Sequence, residues 1–401
     1  MTGRGLAFLA GALIALLAGR LLGLEDLYLV GAGVVLVCGI AWVYVRVQLL
    51  QVAATRRVIP SRVYAGASSR VELSLTNRGS RRSPVFGVSD PFDGGARWAR
   101  FLTAPLTPGE LARAAYRLPT ENRGVFDLGP LRVSLTDPFG LASRSVEAAP
   151  LTRLTVFPRI DRIGPPPASN GDDPLAGADH PRAFSGGGGD FYALRPYRRG
   201  DDLRKVHWPS TARSDDLMLR QDEMNWQSRS SLIVDLRTSA CPPPALELVV
   251  SAAASIVVAA DQHGGLQRIV TTAGFDSRSG AGTVHTETIL EHLAGVRSGP
   301  GGLAGALGAL RRTQGGGSLV IVTTALARTS DLQALAGLRA RYSGVTLVVF
   351  EASAWLGGGR AGGDGPSVPA ARGLRVVRVT GENPFAHAWG TAIERAGALR
   401  S

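Results

Sequence analysis

Residues 231–272 read SLIVDLRTSACPPPALELVVSAAASIVVAADQHGGLQRIVTT, and their pattern indicates the fold class of the C-terminal half. Two strand-like runs, Ser231–Asp235 and Gln267–Thr272, flank an apolar helical stretch from Ala245 to Asp261. Apolar strands that alternate with helices are typical of a parallel sheet covered by helices on both faces. The stretch therefore predicts an α/β domain.

The same alternation continues towards the end of the chain. It predicts three further strands, at residues 317–323, 345–350 and 374–379. It also predicts three further helices, at residues 286–296, 330–342 and 386–396. We therefore assign residues 229–401 to one α/β domain of the Rossmann type.

Three polar residues follow the first of these strands at alternate positions: Asp235, Arg237 and Ser239. Ligands of open α/β sheets bind at the carboxyl ends of the strands, and alternate side chains share one side. A divalent cation there needs carboxylate and hydroxyl oxygens, but the middle position holds a fixed positive charge. Either the Arg237 guanidinium lies where a cation would and neutralises Asp235, or it points to solvent. We expect no metal and no cofactor.

This order of elements resembles the von Willebrand factor A domain. In the metal-binding form of that domain, Asp-x-Ser-x-Ser follows the first strand and an Asp usually stands at the end of the third. Here Arg237 replaces the first serine, and Thr323 and Thr324 end the third strand. The resemblance thus implies the fold with a degenerate metal site.

A dense mixture of charges and aromatics precedes the α/β domain at residues 191–223, FYALRPYRRGDDLRKVHWPSTARSDDLMLRQDE. It resembles the signature of the bacterial domain of unknown function 58 (DUF 58) family, whose members commonly carry a von Willebrand A-like domain. The matching positions at their characteristic spacing are Leu194, Arg195, Tyr197, Gly200, Asp201, Arg204, Val206, Trp208, Ala212, Arg213 and Glu223.

The charged signature residues allow two interpretations. Arg195, Asp201, Arg204 and Arg213 either form a structural ion network or act as an exposed docking or catalytic site. We favour the network, since structural networks of this kind are the commoner case. Tyr197 and Trp208 are candidates for docking, because aromatics beside arginines are frequent anchors of binding surfaces.

Short alternating segments before the signature predict a β domain over residues 55–160. Arg70–Thr76 and Leu131–Leu135 alternate, and each ends at a turn signal. Strands at this spacing favour an antiparallel β-sandwich, most simply an immunoglobulin-like one. Asp137 is interpreted as an Asx-turn residue. Residues 161–189 form a Gly/Pro-rich linker, and residues 190–228 hold the signature segment.

The N-terminal residues 1–48 predict two transmembrane helices, at about 5–22 and 27–45. A signal peptide is the alternative for the first, but a second apolar run follows at once without a clear cleavage site. Arg4, Arg46, Arg56 and Arg57 flank the pair, and Glu25 and Asp26 occupy the predicted connection. The positive-inside rule then places both termini and the soluble domains in the cytoplasm of a multi-pass membrane protein.

Composition narrows the function classes. The net charge of +12 comes almost entirely from arginine, yet no arginine-rich helix interleaved with aromatics is present, so we expect no nucleic-acid partner. The two cysteines do not form a disulfide framework and are consistent with a reducing compartment. The six histidines show no metal-binding spacing, and no serine nucleophile elbow occurs.

Two function classes remain. The family resemblance implies a non-enzymatic, membrane-anchored binding or adaptor protein, because DUF 58 proteins are typically associated with MoxR-type AAA+ ATPases and other von Willebrand A proteins. The processes implied are protein-complex assembly or cell-envelope functions. The alternative is a hydrolase-type enzyme with an unrecognised site around the signature, for which the sequence offers charge stabilisers but no evident nucleophile and base.

Overall fold

The computed structural model describes residues 1–48, 51–167, 191–196, 218–222, 229–312, 316–325, 338, 341–356 and 374–398. The chain divides into two compact units. One comprises residues 1–159 and 290–296, and the other comprises residues 160–289 and 297–401.

The first unit begins with a helical hairpin, α1 (Gly3–Leu22) and α2 (Glu25–Val47). The predicted connection at Gly23–Asp26 is shorter than expected: Gly23 adopts φ 69° as the C-cap of α1, and Glu25 already starts α2. The acidic pair thus lies in the first turn of α2, where the helix dipole favours negative charge. Both helices are long and apolar enough to cross a membrane.

The helices of the hairpin approach each other closely. A Cβ on Gly31 would lie 2.7 Å from the Leu16 side chain and 3.2 Å from the carbonyl of Ala12. Small residues at such a contact are typical of helix pairs in membranes.

Ten strands follow in the same unit: β1 (Val52–Ile59), β2 (Arg62–Tyr64), β3 (Ser69–Asn77), β4 (Phe86–Phe92), β5 (Arg97–Thr103), β6 (Leu111–Leu118), β7 (Gly124–Leu128), β8 (Leu131–Thr136), β9 (Ser143–Ala149) and β10 (Thr152–Phe157). They form two sheets. The smaller has the order β1-β3-β6, and the larger has the order β2-β10-β7-β4-β8-β9, with β5 paired to β4. All pairings are antiparallel except that of β10 with β2.

The inward residues of both sheets share one core, which includes Leu73 and Leu75 from β3 and Leu131, Val133 and Leu154 from the larger sheet. This arrangement is the predicted two-sheet sandwich. The core also contains a charge that the sequence analysis placed elsewhere. Arg56 was counted among the charges flanking the membrane, but its side chain is 1% exposed and lies inside the sandwich.

The second unit contains a five-stranded parallel sheet with the order β14-β13-β15-β16-β17. Its strands are β13 (Arg229–Val234), β14 (Leu266–Thr271), β15 (Ser318–Thr324), β16 (Gly344–Phe350) and β17 (Leu374–Val379). Its helices are α3 (Pro243–Gln262), α5 (Leu303–Arg311), α6 (Phe385–Ala398) and the first half of α4 (Thr283–Gly295), whose residues from 290 onwards belong to the first unit. α3 is also apolar enough for a membrane span, but 12 of its 20 residues are buried, as expected of a helix packed on a sheet.

These elements confirm the parallel α/β prediction, with two additions. Helix α5 was not predicted, although Leu303, Ala306, Leu307 and Leu310 form its buried stripe. Residues 276 and 280 pair antiparallel with β14 through isolated bridges at the sheet edge. The predicted helix at 330–342 lies almost entirely outside the described residues.

The predicted linker, residues 161–189, begins with ordered contacts to the α/β unit. The Asp161 amide donates to Ser255 Oγ at 2.9 Å, and Trp389 Nε1 donates to the Gly164 carbonyl at 2.9 Å. Trp389 is almost fully buried, so residues 161–164 are part of this unit rather than a spacer.

Candidate functional site: the carboxyl edge of the parallel sheet

The candidate site lies where β13 and β15 end side by side. The two strands pair in parallel with Val234 beside Val322, so Asp235, just after β13, and Thr323, near the end of β15, lie at the same edge of the sheet. Such an edge is where open α/β sheets bind ligands.

Asp235 forms a two-point ion pair with Arg237 at this edge. Arg237 Nε donates to Asp235 Oδ1 at 2.9 Å, and a terminal guanidinium nitrogen donates to Oδ2 at 2.8 Å. The Asp235 side chain is 3% exposed and that of Arg237 is 14% exposed. Of the two orientations left open by the sequence, the structure shows the one in which the guanidinium neutralises the carboxylate.

Hydroxyl groups from neighbouring strands complete the surroundings of the carboxylate. Thr323 Oγ1 donates to Asp235 Oδ2 at 3.0 Å, and Thr272 Oγ1 lies 3.5 Å from Oδ1. Thr272 also accepts from the Leu236 amide at 2.8 Å, which fixes the chain just beyond β13. Both carboxylate oxygens therefore have donors within the protein, and an added cation would have to displace them.

The loop after β13 holds Arg237 in place. The amides of Ala240 and Cys241 donate to the Arg237 carbonyl at 2.9 and 2.6 Å, and Thr324 Oγ1 donates to the Ala240 carbonyl. α3 then begins at Pro243, whose fixed φ suits a first helical position. These hydrogen bonds connect the loop to β15 and hold the backbone that carries Arg237.

The predicted positions do not all meet. Ser239 is exposed and, among the described contacts, makes none to Asp235, whereas Thr272 and Thr323 do so without having been proposed as partners. In the sequence, Thr323 stood out only because the metal-binding form of the von Willebrand A domain usually has an Asp at the end of the third strand. Within the described residues, no group of three or more His, Cys, Asp or Glu side chains is arranged to hold a metal ion.

The signature segment is described only at its ends. β11 (Phe191–Pro196) and β12 (Met218–Asp222) pair as an antiparallel ribbon, with Arg195 opposite Leu219. The other signature candidates lie outside the described residues: Tyr197, Gly200, Asp201, Arg204, Trp208, Arg213 and Glu223.

A second polar cluster, which the sequence analysis missed, lies inside the β-sandwich. A guanidinium nitrogen of Arg56 lies 2.5 Å from Asp90 Oδ1, and Tyr116 Oη donates to Asp90 Oδ2 at 2.7 Å. Arg56 also donates to Thr152 Oγ1 and to the Pro150 carbonyl. Burial, followed by the hydrogen bond to Asp90, raises the pKa of Tyr116. Since Asp90 and Arg56 are both fully enclosed, we assign this cluster to stability rather than to catalysis.

Comparisons with known proteins concern parts of the chain. An uncharacterized protein of Mycobacterium tuberculosis (strain H37Rv) is 28% identical over 192 residues, which cover 45% of this chain and 60% of the relative. An uncharacterized protein of Mycobacterium bovis matches to the same extent. The alignment thus spans less than two thirds of these relatives.

Solved structures give weaker likenesses. The CARDB domain of the PF1109 protein from Pyrococcus furiosus, crystallised with di-metal ions, is 11% identical with a TM-score of 0.20, covering 27% of this chain and 94% of that chain. The putative ApaA protein from Bordetella pertussis is 17% identical with a TM-score of 0.19, covering 26% and 91%. Such scores do not establish a relationship of fold.

The family comparison concerns the segment with the signature and most of the parallel sheet. The family described as "Protein of unknown function DUF58" matches residues 193–352. This range contains the signature positions from Leu194 to Glu223 and the ion pair of Asp235 with Arg237. Over residues 193–352, therefore, the chain is similar to the DUF58 family, as the resemblance of residues 191–223 implied.

Proposed function

We propose that this protein is a non-enzymatic, membrane-anchored adaptor that works with a MoxR-type AAA+ ATPase in protein-complex assembly or cell-envelope processes. Other von Willebrand A proteins are further candidate partners. The hairpin α1–α2 anchors the protein in the cell membrane as a multi-pass protein, and both termini and the soluble units lie in the cytoplasm.

The proposal rests on the arrangement of the side chains around Asp235 at the carboxyl edge of the parallel sheet. The carboxylate of Asp235, at the usual ligand-binding position of such a sheet, is already neutralised by Arg237 and accepts a hydrogen bond from Thr323. A partner that binds there meets a preformed guanidinium–carboxylate pair and exposed hydroxyls of Thr238 and Ser239 rather than a metal. Recognition of a protein surface by hydrogen bonding suits this arrangement better than catalysis does.

Strand order supports a finer assignment of fold. The sheet order β14-β13-β15-β16-β17, with an antiparallel segment bridging β14 at the edge, agrees with a von Willebrand A-like domain. We likewise propose that the β-sandwich is immunoglobulin-like, since its strands form two facing antiparallel sheets around one core.

The alternative is a hydrolase-type enzyme whose site surrounds the signature. It requires a nucleophile and a base close to Asp201, Arg204 and Arg213. A reaction that persists in the purified protein and disappears with one of these side chains, without loss of folding, would favour the enzyme over the adaptor.

The membrane topology gives a first prediction. A reporter fused after Ser401 should be active only in its cytoplasmic form, and a reporter inserted between Gly23 and Leu24 only in its exterior form, because Arg4 and Arg46 flank the open end of the hairpin. Paired alkaline phosphatase and fluorescent protein fusions measure both positions. An exterior C-terminus would contradict the cytoplasmic assignment.

The adaptor function gives a second prediction. The purified full chain in detergent should form a complex with a MoxR-type ATPase and change its ATP turnover. If Asp201 belongs to a structural network, Asp201→Ala should lower the melting temperature and weaken the complex in parallel. Tyr197→Ala and Trp208→Ala should instead weaken the complex with the melting temperature unchanged, if these aromatics are docking anchors.

One control variant and one contrary outcome separate the adaptor from the enzyme. Arg378→Ala removes an exposed ion pair with Glu351 in the same unit and should change neither melting nor binding. Absence of any complex, with catalytic turnover of a small substrate by the chain alone, would replace the adaptor by the enzyme.

A further inference from the structure

The open end of the helical hairpin meets a turn of the β-sandwich. Thr2, the N-cap of α1, donates from its amide to the Leu141 carbonyl at 2.9 Å and from Oγ1 to the Gly140 carbonyl at 2.6 Å. Cys38, Ala41 and Val45 of α2 pack against Leu141 and Ala142. The turn between β8 and β9, residues 137–142, therefore lies at the end of the hairpin from which the chain emerges.

A second turn lies beside the same end. The Arg78 amide donates at 2.8 Å to the carbonyl of Gln51, four residues after the end of α2 at Val47. The buried side chain of Asn77 holds the following loop: its Nδ2 donates to the Arg81 and Leu106 carbonyls at 2.8 and 2.9 Å, and its Oδ1 accepts from the Gly79 amide. The connection between β3 and β4 is thus a fixed loop.

This loop carries three exposed arginines, Arg78, Arg81 and Arg82. The acidic group that faces it is Glu110, whose carboxylate accepts from the Thr107 amide and hydroxyl at 2.7 and 2.8 Å. Those hydrogen bonds, with a smaller contribution from Arg82, lower the pKa of Glu110. One carboxylate against three guanidinium groups leaves an excess of positive charge.

Exposed apolar side chains lie at the same end of the sandwich. Phe139 is 72% exposed at the tip of the 137–142 turn, where the Asp137 carboxylate accepts from the amides of Phe139 and Ala142. Val85, which directly follows the basic loop, is 50% exposed. Asp137 thus has the Asx-turn role predicted from the sequence. The turn that it stabilises exposes the aromatic side chain of Phe139 to solvent.

We propose that the 78–85 and 137–142 turns together form a binding surface for acidic phospholipid headgroups, with Phe139 inserted among the lipids and Arg78, Arg81 and Arg82 contacting their phosphates. The inference rests on the proposed membrane anchoring by α1 and α2. A lipid surface is the occupant that fits both the basic and the apolar part of the site, because both turns lie at the open end of the hairpin, where the proposed transmembrane helices leave the bilayer.

The chemistry distinguishes a lipid from a soluble anion. Basic residues next to a membrane-spanning helix are attracted to anionic leaflets, each contributing about a fivefold change in binding. Aromatic side chains are favoured in the interfacial zone, where a soluble phosphate offers no apolar contact. The surface would therefore fix the sandwich against the bilayer rather than only attract ions.

The test uses the full chain in detergent and native mass spectrometry of retained lipid. Phosphatidylglycerol should be retained in clear preference to phosphatidylcholine. Replacing Arg78, Arg81 and Arg82 together by Gln should lower phosphatidylglycerol retention at least tenfold, and Phe139→Ser should lower it severalfold. All four side chains are exposed, so these variants should fold.

Matched controls lie at the other end of the strands or away from both turns. The triple replacement of Arg97, Arg117 and Arg132 by Gln makes the same change in charge on the same sandwich, and Leu151→Ser removes an apolar side chain that is 59% exposed. Both should retain phosphatidylglycerol as the unaltered chain does.

Each contrary outcome has a distinct meaning. Equal retention of the two lipids, or equal loss in both triple variants, would overturn the headgroup site. Displacement of the lipid by inorganic phosphate at the same concentration would show a soluble-anion site and overturn it as well. Extraction of the chain from membranes by alkaline carbonate would instead refute the anchoring by α1 and α2.

Discussion

Asp90→Ala should lower the opening free energy of the β-sandwich by about 3–5 kcal/mol, because it leaves the guanidinium of Arg56 buried without its carboxylate. Arg56 is 1% exposed and Asp90 is 0% exposed, and Tyr116 loses its acceptor in the same change. Native-state hydrogen exchange of amides in β1, β3 and β4 measures the effect within this unit.

An exposed ion pair in the larger sheet, which also contains Asp90, provides the control. Arg153 and Asp127 lie 3.4 Å apart with side chains 69% and 56% exposed, so Asp127→Ala should cost no more than about 1 kcal/mol. Replacing Arg56, Asp90 and Tyr116 together by Met, Leu and Phe should recover much of the loss, since an apolar replacement leaves no buried charge unpaired. Equal effects of Asp90→Ala and Asp127→Ala would contradict the burial argument.

Arg237→Ser should destabilise the edge of the parallel sheet by a similar amount, about 3–5 kcal/mol, since Asp235 would keep only neutral donors around a buried carboxylate. Exchange of amides in β13 and β15 should accelerate, because the loop from Arg237 to Cys241 links these strands. Arg378→Ser, which breaks an ion pair with one side chain 53% exposed, serves as the control.

The same exchange experiment can be repeated with added divalent cations. Millimolar Mg²⁺ or Mn²⁺ should change neither the unaltered protein nor Arg237→Ser, because the end of β15 offers the hydroxyl of Thr323 where a carboxylate ligand would be needed. A cation that bound the folded state would raise protection against exchange. A clear rise in the unaltered protein would contradict the proposal that Arg237 takes the place of a cation. A rise in Arg237→Ser alone would contradict the argument that a second carboxylate is needed at the end of β15.

The local order of apolar and polar residues was sufficient to predict the strands and helices in which that order repeats regularly. The strands at β3, β8, β13, β15, β16 and β17 and the helices α1 to α3 agree with the predictions to within a few residues. Helix α5 was missed because Gly305 and Gly308 lower its helix propensity, and packing of Leu303, Leu307 and Leu310 compensates. Strand β4 was missed because Asp90 and Pro91 interrupt its apolar pattern.

The candidate site was predicted in part. The spacing of Asp235 and Arg237 allowed a local ion pair, since residues two apart beyond a strand share one side. The spacing did not show whether Arg237 pairs with Asp235 or points to solvent. It also suggested Ser239 as a hydroxyl neighbour of Asp235, whereas Thr323 donates that hydrogen bond. Arg56 was assigned to the membrane flank because its sequence neighbours are apolar helices, whereas its partner Asp90 lies in a strand that was not recognised.

Composition and periodicity were enough for the apolar helical hairpin, the two-sheet β-sandwich and the parallel α/β unit, because these depend on the order of apolar and polar residues along the chain. The positions of the signature came from the family resemblance. The pairing of buried charges depended on folding. Asp235 and Thr323 are 88 positions apart, and Arg56 and Asp90 are 34 apart. A buried ion is stable only when distant strands bring its donors and acceptors together, and that proximity has no local signal in the sequence.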